Sequence, residues 1–128
     1  MVLLDIKKEE GWLLSTFNLT YKVGWNNICK AIYTTYDYYE KVEVLIDDKA
    51  VEINSKEDIL KLEEAGNMTI RGMCKIINAW IMIKFYNQLN VVSVTMPCVT
   101  KNFDEANYEK FNLAIGQYMD SLELAMYR

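Results

Sequence analysis

A chain of 128 residues, 52% of them hydrophobic and with a formal net charge of −4, has the length of one domain and enough apolar material for a core without staples. Its 14 basic and 18 acidic residues include no Lys/Arg cluster, and Arg71 and Arg128 are the only arginines, which argues against a nucleic-acid surface. Histidine is absent, and Cys29, Cys74 and Cys98 are widely spaced, so no metal or cofactor site is expected and free thiols in a reducing, cytoplasmic setting are.

Along the chain, Val2–Lys7 and Trp12–Thr20 favour extended structure, and the polar KKEEG between them reads as a hairpin loop. After Gly24, the residues Trp25, Ile28, Cys29, Ile32, Tyr36 and Tyr39 recur at three and four, which predicts an amphipathic helix of about four turns. Tyr33 flanks that stripe and Tyr38 points away from it, so both are candidates for a contact surface. A buried tyrosine on the stripe needs a partner for its hydroxyl, and the rim of the core is the expected place for one.

Val42, Val44 and Ile46 alternate against Glu43, Leu45 and Asp47, and the chain turns at Asp47-Asp48-Lys49 into Val51 and Ile53, a second hairpin. Ser55 and Asp58 in SKED form a capping-box pattern ahead of Ile59 and Leu62, predicting a helix of about three turns that stops at Gly66. From Met68 to Val99 the β-branched and aromatic content, divided near Asn78 and at NQLN, predicts a three-stranded meander. A buried helix over 71–85 is the competing reading, and Gly72 weighs against it. Pro97 fits the end of the last strand. Asn102 then caps a long helix with Glu105 three residues on, and its stripe is Phe111, Ala114, Ile115, Tyr118, Leu122 and Ala125.

The predicted fold is α+β: an antiparallel or mixed sheet of about five to seven strands, two long helices and one short one, in the order ββ-α-ββ-α-βββ-α, as a single domain over 1–128 with the helices on one side. The longest apolar runs, such as NAWIMI, fall short of the roughly 20 residues that cross a bilayer, and acid interrupts the apolar start MVLLDIKKEE, so neither a membrane span nor a signal peptide is expected.

The chemistry is defined mostly by what is missing. Without histidine, the Ser-His-Asp and Cys-His arrangements and the histidine-ligated metal sites are closed, and neither G-x-x-x-x-G-K-[ST] nor G-x-G-x-x-G occurs. Adjacent carboxylates at 9–10, 47–48, 57–58, 63–64 and 104–105 fall where hairpin turns, first helical turns and solvated helix ends account for them. Cys74, between Met73 and Lys75 with Arg71 nearby, is the one cysteine with basic neighbours, and core packing is the simpler role for it.

The run Ala79–Tyr86 is apolar on both faces, with Ala79, Ile81, Ile83 and Phe85 on one and Trp80, Met82, Lys84 and Tyr86 on the other. A strand of that kind has to be covered twice, by the chain's own helices or by a second molecule. On the second reading Trp80, Met82 and Tyr86, joined by Met73 and by Val92, Val94 and Met96, face a partner, since Trp, Tyr and Met are enriched in interface cores. Leu113 and Leu124, opposite the stripe of the last helix, rank with Tyr38 and Tyr33 as secondary contacts.

The expectation is a non-enzymatic interaction module, of inhibitor, immunity or adaptor type, that binds another protein and self-associates as a homodimer in one form of that binding. Thirteen of the 18 acids lie within residues 1–66 and would speed association with a basic partner at low salt. The alternative is a small-molecule domain whose pocket between helices and sheet is lined by Trp12, Trp25, Trp80 and Tyr118.

Overall fold

The computed structural model describes residues 2–9, 12–77, 79–101 and 105–127, with side-chain surroundings for 19–77, 80–95, 109–110 and 113–127. Its strands are β1 (Val2–Glu9), β2 (Trp12–Lys22), β3 (Tyr39–Ile46), β4 (Lys49–Val51), β5 (Asn67–Cys74), β6 (Ala79–Tyr86) and β7 (Val91–Lys101). The helices are α1 (Trp25–Thr35), α2 (Glu57–Leu60) and α3 (Glu105–Tyr127), so the chain runs ββ-α-ββ-α-βββ-α as its apolar periods predict. All seven strands join one antiparallel sheet in the order β1-β2-β7-β6-β5-β3-β4. The stretch 71–85 is therefore two strands and a turn, not a buried helix.

The register explains where the core lies. One row runs Val44, Ile70, Ile83, Val94, Leu19 across five strands, and the next runs Ile46, Met68, Phe85, Val92, Tyr21. Because side chains alternate across a strand, these rows make one continuous apolar face, and α1 and α3 cover it. The Trp25 ring of α1 meets the Phe85 ring edge to face at 6.0 Å, and Ile28, Ile32, Ile115, Tyr118 and Leu122 are fully buried between helices and sheet. The stripe expected on the last helix is the one that packs; Asn102 and the Phe111 side chain lie outside the described residues.

Two local devices set the curvature near β3. Asp47 and Asp48 both have positive φ, 48° and 66°, which makes their two-residue turn of the hairpin type whose twist suits its strands. The Asp47 Oδ1 then accepts the Asn67 N–H at 2.9 Å, tying the turn to β5. Further along β3, Lys41 adopts φ 54° and the pairing slips between Glu40 and Glu43, a bulge set opposite Gly72. A Cβ at Gly72 would come within 3.3 Å of the Glu40 carbonyl, a tight approach that glycine avoids.

Three expectations are corrected. The first helix ends at Thr35, and Tyr36–Tyr38 form a 3₁₀ turn before Tyr39 opens β3. Thr34 and Thr35 turn their hydroxyls back to the Lys30 and Ala31 carbonyls at 2.8 and 2.9 Å, and two β-branched residues in the last turn weaken it. The helix over SKED is a single turn, Glu57–Leu60, without a Ser55 cap; Asp58 instead accepts the Asn54 N–H at 2.9 Å. Extension is blocked because Asn87 donates from its side chain to Glu64 and to the Ala65 carbonyl, and from its backbone to the Gly66 carbonyl, at 3.0, 2.9 and 2.9 Å, fixing 64–66 as an extended lead into β5. Pro97 lies inside β7 rather than at its end, on a stretch paired only with β2, where the missing donor faces no second neighbour.

Candidate functional site

All three helices gather on one side, with α2 against α1 and α1 against α3, and among the described residues the opposite sheet face carries no helix. The residues that the register places there are Glu40, Glu43 and Leu45 on β3, Thr69, Arg71 and Met73 on β5, Trp80, Met82, Lys84 and Tyr86 on β6, and Val91, Ser93 and Thr95 on β7. Trp80 pairs across to Met73, and Met82 to Arg71 on one side and Thr95 on the other. The β6–β7 ladder extends as far as Met82–Thr95, so Trp80 has a paired neighbour strand on the β5 side only. Its side chain is 46% exposed, while Met73 and Met82 are half-buried beside it.

Of the expected cluster, the structure thus brings Trp80, Met82 and Met73 together. Tyr86 shares their face at 39% exposure but lies beyond Lys84, at the other end of the strand. Val92 and Val94 do not belong to this surface: both are fully buried on the helix-covered face, because strand alternation puts even positions of β7 inward. The Met96 side chain lies outside the described residues. Arg71 reaches the Glu43 carboxylate at 3.5 Å, and its Nε is buried with no hydrogen-bond partner among the described residues. The patch is therefore apolar at one end and charge-paired at its β3 margin.

The secondary candidates lie elsewhere. Tyr38 is not turned to solvent as the helical wheel implied, since the 3₁₀ turn rotates it against the core and its carbonyl accepts the Lys75 N–H at 2.8 Å. Tyr33 on α1 is half-buried with the Lys56 ammonium 5.2 Å from its ring centroid, a cation–π contact within the chain. Leu113 and Leu124 are exposed on the outer side of α3, as their position off the stripe predicts.

Leu124 belongs to a groove that periodicity did not reveal. Asp120, Glu123, Leu124 and Tyr127 line a cavity of ≈ 420 Å³ at the end of α3, where their spacing of three and four puts them on one side of the helix. Tyr21 donates to Glu123 at 3.4 Å, and its ring meets that of Tyr127 edge to face at 6.3 Å. Burial first and then the Glu123 carboxylate push the Tyr21 hydroxyl up to about 12. Tyr127 in turn donates to the Lys22 carbonyl at 3.1 Å, clamping α3 to β2. No sequence signal marks this clamp beyond the pair of tyrosines themselves.

In the core, Thr35, Tyr39 and Tyr118 form a chain of hydroxyls at 2.8 Å, with Tyr39 and Tyr118 stacked edge to face at 6.0 Å. Thr35 donates to the Ala31 carbonyl, so its oxygen can only accept from Tyr39; Tyr39 has then used its hydrogen and accepts from Tyr118. The tyrosines satisfy one another inside the core instead of at its rim. Desolvation holds both far above the ordinary phenol range, so they are neutral structural groups. Cys29 and Cys74 are buried free thiols, and burial pushes Cys29 up to about 11 and raises Cys74 as well, which gives Cys74 a packing role despite its basic sequence neighbours.

The aromatic residues proposed to line a common pocket are parted. Trp25 is packed on Phe85, Tyr118 is buried on Tyr39, Trp80 lies on the opposite side of the sheet, and the Trp12 side chain is outside the described residues. Among the described residues no group of three or more His, Cys, Asp or Glu side chains is placed to hold a metal ion, and no helix is long and apolar enough to cross a membrane. No protein-family model, curated protein or solved structure matches the chain significantly.

Proposed function

We propose that this protein is a non-catalytic interaction module that binds another protein through its helix-free sheet face, with Trp80, Met82 and Met73 at the contact and Tyr86 at its far end. The reading sets this action in the cytoplasm, where buried free thiols persist. One observation carries it: a tryptophan 46% exposed beside two half-buried methionines, on a sheet face that no helix covers among the described residues. Large aromatic and methionine side chains on such a surface supply apolar area whose removal from water favours a complex, and they are the types that anchor interfaces. The acids Glu40 and Glu43 at the margin supply a charged rim of the kind that orients a partner rather than holding it.

The test compares wild type with the Trp80→Ser/Met82→Ser double variant as bait in lysate of the source cells. Support is a protein retained by wild type at stoichiometric level and lost from the double variant while its circular dichroism is unchanged. Equal retention by the two baits would move the contact off this face.

A further inference from the structure

We draw no further inference here: the strongest candidate, the groove beside Asp120, Glu123, Leu124 and Tyr127 at the end of α3, rests on two exposed carboxylates of one helix, and no second observation in the structure points to a ligand for it.

Discussion

At the scale of single residues, the hydroxyl chain through Thr35, Tyr39 and Tyr118 has a direction, and that direction makes two similar substitutions unequal. Tyr118→Phe removes a terminal donor and leaves Tyr39 with a spare lone pair, which is expected to cost about 1 kcal/mol. Tyr39→Phe strands the buried Tyr118 O–H without an acceptor, which is expected to cost about 2–3 kcal/mol; urea denaturation of the two variants measures the difference, and equal losses would contradict the assigned direction. The same burial gives a dependence on alkali. Cys29 is raised from 9.0 to about 11 and Tyr21 from 10.0 to about 12, so the folded state holds these protons to higher pH than the unfolded chain. Their contribution is fully present below the unfolded values and is lost as pH rises through 9–11 for the thiol and 10–12 for the phenol. Stability should therefore fall above pH 9, and Cys29→Ala should make the first part of that fall shallower in urea midpoints taken from pH 8 to 11. The sequence reading placed Tyr39 inside from its spacing, and correctly, although it misjudged the element that carries it. Tyr38 it misplaced, because a 3₁₀ turn changes the rotation per residue just where the wheel was being extrapolated.

At the scale of elements, strands and helices were legible wherever an apolar period ran long enough. The order ββ-α-ββ-α-βββ-α followed from alternation over 42–46, from β-branched and aromatic content over 68–99, and from three-and-four spacing over 25–32 and 114–125. The elements that went wrong were those decided by tertiary partners. The SKED pattern has the residues of a cap, but Asn87 captures the backbone of 64–66 and one turn is all that remains. Pro97 reads as a strand end, and the end in question turned out to be that of the β6 ladder. Two glycines test the element-level account in opposite directions. Gly116 in α3 has nothing within 4 Å of an added Cβ, so Gly116→Ala should stabilise by about 0.5–1 kcal/mol through helix propensity. Gly72 faces the Glu40 carbonyl across the bulge, so Gly72→Ala should destabilise by about 1–2 kcal/mol. Thermal melts would show the sign of each, and a stabilising Gly72→Ala would mean that the bulge yields freely.

At the scale of the whole molecule, the informative fact is an asymmetry: the helices cover one face of a seven-stranded sheet, and the other face keeps an exposed tryptophan. The doubly apolar strand 79–86 raised the expectation of a covering on each face. Which of them the chain supplies could not be read from it, because the sidedness of helices depends on crossovers that leave no trace in local spacing. The groove beside Tyr127 was hidden for a related reason, since residues 21 and 127 meet only through the packing of α3 on β2. If the uncovered face is a contact surface and not an idle one, its apolar residues should be dispensable for folding. Trp80→Ser should change stability by less than about 1 kcal/mol, whereas Phe85→Ala on the covered face should cost about 3–5 kcal/mol. The measurement that bears most directly on the central claim is site-resolved photo-crosslinking in the source cells, with the reactive group placed at position 80 and, as a control, at Leu60, which is exposed on α2 on the helix-covered side. The account predicts a discrete crosslinked species, a second copy or another protein, from position 80 and none from position 60. Equal crosslinking from both positions, or none from position 80, would contradict it.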